Sequence, residues 1–403
     1  MSVPALRFKN EAGQDFPNWK DSTLGEVAEI KRGAASQHLK YVEGNIHGIR
    51  LIRINDFLKN EPVYVEATQD IKRFTLQRND LLIAGTGATA GIVFRVPDKF
   101  ENLAYSYNAP RIRVNQANDG FIYYYLISDV VLKQQQGLFV GNAQPFLDTD
   151  AIRGFQIGLP SLPEQTKIAN FLTAVDEKIT QLTQKHDLLT QYKKGVMQQI
   201  FSQELRFKDD DGGDFPEWKE SILSNIVSSP ITYGVVKPDK EDVNGVKLIR
   251  GGDVSQGKIS ANLRTISKEI SQQYKRTILQ GGELIVSLVG NPGEVAIVPK
   301  DLIGANLARQ VGLVRLVKEI NSLFVLYFLT FTTEIITSKI TGSVQKVINL
   351  EDLQKLKIQT PTFVEQTKIA NFLTAIDDKI TATQSQLEAV KQYKQGLLQQ
   401  MFV

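Results

Sequence analysis

Two stretches of the chain carry their seam residues, mostly apolar, at alternating steps of four and three. The first reads Ile168, Leu172, Val175, Ile179, Leu182, His186, Leu189, Lys193, Val196 and Ile200. The second, 201 positions further on, reads Ile369, Leu373, Ile376, Ile380, Thr383, Leu387, Val390, Lys394, Leu397 and Met401. A strict seven-residue period is narrower than the stripe a surface helix needs, so the spacing predicts two long helices that pair as a coiled coil. Ser161 with Glu164 and Thr362 with Glu365 precede these runs at the spacing of a capping box. The rest of the chain alternates short β-rich runs with Gly-rich turns. The runs are 50–54, 81–84, 91–96 and 111–114, then 247–250, 284–289, 295–298 and 311–316, with one helix near 121–135 and another near 323–339.

The pattern repeats because the sequence does. Leu6–Leu24 recurs as Leu205–Leu223 with 12 of 19 positions identical, and Glu164–Thr180 recurs as Glu365–Thr381 with 15 of 17 identical. Gln191–Phe201 recurs as Gln392–Phe402. Between these anchors the two halves share only a skeleton, as in Leu51-Ile-Arg-Ile-Asn-Asp-Phe57 against Leu248-Ile-Arg-Gly-Gly-Asp-Val254. Two modules of one shape, doing related but different work, are expected.

Size sets the direction of the helices. A helix of about 38 residues is roughly 57 Å long, whereas a module of about 140 residues is only some 37 Å across. A module that leaves the first helix at its end and enters the second at its start cannot span a full helix length, so the helices should be antiparallel. The expected fold is mixed α/β (α+β): two globular modules separated by an antiparallel coiled coil, pseudo-twofold and nearly circular. Its parts are an N-terminal segment 1–20 that completes the second repeat, a module 21–160, a helix 161–201, a connector 202–219, a module 220–361 and a helix 362–403.

Composition narrows the chemistry. There is no cysteine, and the only histidines are His38, His47 and His186. Disulfides, thiolate nucleophiles and cysteine-held metals are thereby excluded. Gly85–Gly91 lacks dinucleotide-fingerprint spacing, no Gly-Lys-Ser/Thr loop occurs, and Asn291-Pro292-Gly293 reads as a turn. Asp176-x-Lys178 and Asp377-x-Lys379 read as a solvated helix face rather than a nuclease metal site. The expectation is a non-catalytic, soluble, cytoplasmic protein with no catalytic residue, no metal, no cofactor of its own and no membrane contact.

Net charge is only +3, with 15 basic and 15 acidic residues in 21–160 and 17 against 13 in 220–361. Any DNA surface must therefore come from segregated charge. The basic and amide residues beside turns and strand ends are Lys31, Arg32, Arg53, Arg73, Arg78, Arg111, Arg113, Asn142 and Gln144 in the first module. In the second they are Lys237, Arg250, Lys275, Arg276, Asn291, Arg309, Gln345 and Lys346, with Asn108 and Asn306 as further amides. These side chains suit phosphate oxygens and the edges of guanine and adenine.

The repeated Glu-Gln-Thr-Lys-Ile-Ala-Asn-Phe-Leu-Thr-Ala segments, alternating with two variable modules, resemble the DNA-specificity subunit of Type I restriction-modification systems. So does Tyr233-Gly-Val-Val-Lys-Pro238, which adds Tyr233 to the DNA-binding set; the first module lacks this signature. The resemblance implies that 21–160 and 220–361 are target-recognition domains, each reading half of a bipartite double-stranded DNA target. It implies that the helices dock two methyltransferase subunits, joined by restriction/translocase subunits. S-adenosylmethionine, ATP and Mg then belong to those partners, and Lys167, Asn170, Phe171, Lys368, Asn371 and Phe372 become docking residues. Two other readings fit the same pattern: the specificity subunit of a system with fused methylase and nuclease, or a coiled-coil scaffold with two protein-binding modules.

Overall fold

A computed structural model describes residues 4–45, 48–57, 59, 61–139, 145–338 and 347–403. The chain forms two compact units, Met1–Gln184 with Gln384–Val403, and Lys185–Thr383. Both expected long helices are present, as Leu162–Phe201 and Phe363–Met401, and each is divided between the units.

In unit 1 an antiparallel sheet runs in the order Ala28–Lys31, Arg111–Val114, Leu81–Ile83, Val93–Arg95. A second sheet joins Tyr41–Val42, Tyr64–Glu66, Gly48–Ile52 and Ala104–Tyr105, the last pair parallel. Lys20–Thr23 pairs with Gln156–Leu159 where the module meets the first long helix. Unit 2 repeats this plan. Its antiparallel sheet is Thr232–Tyr233, Val311–Val314, Leu284–Ser287, Val295–Ile297. Its mixed sheet is Arg264–Ile266, Val246–Ile249, Asn306–Leu307, again with the last pair parallel. Lys219–Ile222 closes on Lys357–Thr360. Leu81–Ile83 and Leu284–Ser287 are buried along their whole length, which is why they read as unbroken runs rather than as alternation. The helix expected near 121–135 is two helices, Asp119–Leu126 and Asp129–Phe139. At the break the Ser128 hydroxyl donates to the Tyr125 carbonyl at 2.6 Å.

The helix seams belong to the module cores. In unit 1, Ile168, Leu172 and Val175 share one cluster with Leu397, Met401 and Phe402 and with Leu24, Phe121 and Tyr125. In unit 2, Val196 and Ile200 share one with Ile369, Leu373, Ile376 and Phe324. Every seam position is buried or half-buried. The direction is antiparallel inside each unit. In unit 1, Leu6 donates its backbone N–H to Gln400 at 3.0 Å while the adjacent Arg7 reaches Glu164, and further along the same helix Asp176 meets Lys394 at 2.6 Å. In unit 2, Leu205 donates to Gln199 at 3.0 Å, Arg206 reaches Glu365, and Lys193 meets Asp377 at 2.6 Å. The Leu6–Gln400 bond seats the N-terminal segment on the end of the second helix.

The capping boxes do not close as expected. The Glu164 and Glu365 carboxylates turn to Arg7 and Arg206, because an arginine fork offers a buried carboxylate two charge-assisted bonds in place of one neutral N–H. Thr362 still accepts from Glu365 N–H at 3.4 Å, whereas the Ser161 hydroxyl is buried without a partner. Among the described residues no helix is long and apolar enough to cross a membrane.

Candidate nucleic-acid interface

The near-identical segments form one interlocking device, present in both units. Gln165 accepts from Asn118 N–H and donates to the Pro160 carbonyl, both at 2.8 Å; Gln366 does the same with Asn321 and Pro361 at 2.8 and 2.9 Å. Lys167 donates to the Lys9 carbonyl and Lys368 to that of Lys208, each at 2.9 Å. Phe171 packs edge-on against Phe8 and Phe372 against Phe207, both at 5.5 Å between centroids. Four of the six expected docking residues are thus held by intramolecular contacts, while Asn170 and Asn371 are exposed.

Asp176 and Asp377 are half-buried and paired rather than free on the helix face. Tyr124 donates to Asp176 at 2.8 Å and Lys394 pairs with it at 2.6 Å; Tyr327 and Lys193 hold Asp377 at the same two distances. This accounts for a lysine at a seam position in each helix: the charge meets an aspartate of the facing helix. Burial pushes the hydroxyls of Tyr124 and Tyr327 above their ordinary range, and the adjacent carboxylates push the same way.

The expected DNA-binding residues divide into framework and surface. Arg113 forks onto Asp80 at 2.8 Å, and its counterpart Arg315 reaches Glu283 at 3.2 Å. Arg250 forks onto Asp253 at 3.0 Å, and Arg53 lies 3.9 Å from Asp56 in the equivalent turn. Arg111 is buried against Glu29 and Tyr105, which removes it from any outer surface. Asn306 is buried and bonded to Thr277 and Ser271, and Asn291 donates to the Val254 carbonyl at 3.1 Å. Arg73 and Arg78 are exposed but paired with Asp70 and Asp98. Lys31, Lys237, Lys275, Arg276, Tyr233 and Arg309 are exposed, Lys31 beside Glu29. Asn142, Gln144, Gln345 and Lys346 lie outside the described residues.

At one end of the four-stranded sheet the two units can be matched bond for bond. Ala34 N–H donates to Tyr105 and Tyr107 N–H to Ala34, both at 2.9 Å; Val235 donates to Leu307 at 2.6 Å and Arg309 to Val235 at 2.9 Å. Gly85 N–H meets the Asn108 carbonyl and Leu147 N–H the Gly85 carbonyl; Leu288 meets Gln310, and Ile348 meets Leu288, in the same way. Gly33 is therefore the counterpart of Gly234, and a Cβ there would stand 2.1 Å from the Tyr105 carbonyl oxygen, or 1.8 Å from that of Leu307 in unit 2. The signature absent from the first module survives as this glycine. Just before it, Arg32 lies 4.4 Å above the Tyr107 ring and 5.2 Å from that of Phe146. Both rings are exposed, and no motif in the sequence singles them out.

Comparison with known proteins agrees with this duplication. The family profile of the Type I restriction modification DNA specificity domain matches residues 17–191 and again 209–392. The chain is 26% identical to the Type I restriction enzyme EcoBI specificity subunit of Escherichia coli over 87% of its own length and 78% of that protein's. It is 26% identical to the putative type I restriction enzyme MjaX specificity subunit of Methanocaldococcus jannaschii, over 97% of its own length and 94% of that protein's. Its fold is similar to the crystal structure of the Type-I restriction-modification system S subunit from M. genitalium, with a TM-score of 0.62 at 15% identity, covering 100% of this chain and 99% of that one. With the profile matched twice across most of its length, the chain belongs to the Type I restriction modification DNA specificity family, as a non-catalytic specificity subunit.

Proposed function

We propose that each unit reads one short half of a split, asymmetric double-stranded DNA target. The observation that supports this best is the common frame at the end of each four-stranded sheet, which carries different exposed groups in the two units. One frame with two sets of side chains suits two related readings, because backbone contacts position a protein on DNA while base-edge contacts specify. Two methyltransferase subunits dock on the repeated segments, through the faces that carry Lys167, Asn170 and Phe171 and, in the other copy, Lys368, Asn371 and Phe372. Near-identity of these segments serves one partner type bound twice. Restriction/translocase subunits complete the assembly. S-adenosylmethionine, ATP and Mg act on those partners, and the complex works in the cytoplasm.

The test is a module exchange. Residues 25–158 are replaced by the corresponding module of another family member, and the methylated adenines are sequenced in cells that carry the system. One half of the recognised sequence should change and the other persist. A change in both halves, or in neither, would contradict the proposal.

A further inference from the structure

We infer that Arg32 with Tyr107 in unit 1, and Tyr233 with Arg309 in unit 2, are the specificity-determining pair of each unit, one cation and one aromatic that contact base edges. The inference rests on the proposed DNA-reading role and assigns it to particular side chains. By the backbone bonds that match the units, position 32 corresponds to 233 and position 107 to 309. The two residue types are therefore exchanged: the guanidinium comes before the glycine in unit 1 and from the turn between Leu307 and Val311 in unit 2. Tyr107 and Tyr233 are 43% and 45% exposed, and Arg309 is exposed as well.

What lies beneath the pair is held constant. Gly33 and Gly234 press on a carbonyl that admits no Cβ, so the residue before each is set at a fixed height. Gly91 and Gly293 close the neighbouring turn at φ of 90° and 93°. The framework arginines cannot distinguish two half-sites, since Arg53 and Arg250, like Arg113 and Arg315, repeat with an acidic partner in the same place. Discrimination falls to the accessible positions that differ, and this pair supplies one cation and one aromatic in each unit.

The chemistry suits guanine. A guanidinium lying over an aromatic ring keeps its planar fork oriented, and that fork matches the O6 and N7 acceptors of guanine. Among the described residues the hydrogen bonds of Arg32 are long, 3.5 Å to the Tyr107 carbonyl and 3.4 Å to that of Leu147, and such weak bonds yield readily to a base edge. The tyrosine face offers contact to a neighbouring thymine methyl.

The full chain, assembled with the other subunits of its system, is incubated with a random duplex library, and the bound DNA is sequenced. Arg32→Ala should weaken a G·C preference at one step of one half-site by about tenfold and leave the other half-site intact. Arg309→Ala should do the same in the other half. The untouched half-site is the internal check that the variant assembled. If Arg32→Ala abolishes both halves, Arg32→Lys, which keeps the stem and the charge but not the fork, decides: a preference weakened in one half supports the assignment, and unchanged preferences overturn it. An Arg32→Ala complex with the wild-type preference also overturns it. A wild-type complex that selects no bipartite sequence overturns the DNA-reading proposal itself, and this assignment with it.

Discussion

Arg7 holds Glu164 through both Nε and Nη2, at 2.9 and 2.8 Å, although 157 positions separate them. The carboxylate is fully shielded from solvent, and the same guanidinium also donates to the Phe16 and Pro17 carbonyls. One side chain thus ties the first turn of a long helix to the hairpin that begins the chain. Arg206 repeats the arrangement with Glu365, Phe215 and Pro216.

Removing the arginine strands a buried carboxylate, so Arg7→Ala should cost about 3 kcal/mol, and Arg206→Ala a similar amount. Adding Glu164→Gln to Arg7→Ala should recover part of the loss, because the neutral amide is cheaper to leave unpaired. Urea unfolding of the three variants measures this. Equal midpoints for Arg7→Ala and the wild type would show that the tie carries no stability.

Gly33→Ala and Gly234→Ala should each disturb one unit only. The new Cβ meets a carbonyl oxygen at 2.1 or 1.8 Å, so the strand must move, and overpacking of this kind costs about 1–3 kcal/mol or more. Hydrogen exchange should accelerate in the sheet of the altered unit alone, and recognition should fail in one half-site alone.

The Asp176–Lys394 pair tests what a charge does in an apolar seam. Each single substitution, Asp176→Asn or Lys394→Leu, should destabilise, while the double variant should lie close to the wild type, since replacing both partners removes the desolvation of two charges. A coupling energy of about 1 kcal/mol is expected from the double-mutant cycle. Strict additivity would mean that the two groups do not interact in solution.

Alkaline pH should unfold the chain through its buried phenols. Burial raises Tyr124 and Tyr327 above the value of an unfolded tyrosine, about 10. The folded state therefore holds these protons more tightly. Their contribution to stability is complete below about pH 10 and declines as pH rises through and above it towards the folded values. Tyr124→Phe should flatten the decline between about pH 10 and 12. A phenolate absorbance titration of the wild type with no late-ionising tyrosines would contradict the burial.

The sequence carried the elements and their duplication clearly. The seam from Ile168 to Ile200 and its partner from Ile369 to Met401 emerge as helices, because apolar spacing is a local property of the letters. The β-rich runs around 81–84, 111–114 and 284–289 likewise fall on strands. The site was less legible. Arg111 and Arg113 read as reachable charges, yet one is buried and the other is bound to Asp80, and nothing in their spacing says so. Tyr107 and Phe146, which nothing in the sequence singles out, lie outside.

By itself the sequence determined two repeated helices, two modules of one plan and the family they resemble, since each rests on periodicity or identity along the chain. Only the tertiary structure decided which acid each arginine meets, why Glu164 abandons its own helix cap, and that Arg32 stands where Tyr233 does. The reason is physical. Those relations are set by backbone hydrogen bonds such as Ala34 to Tyr105 and Val235 to Leu307, which nearly every residue type can make and which leave no mark in the side-chain letters.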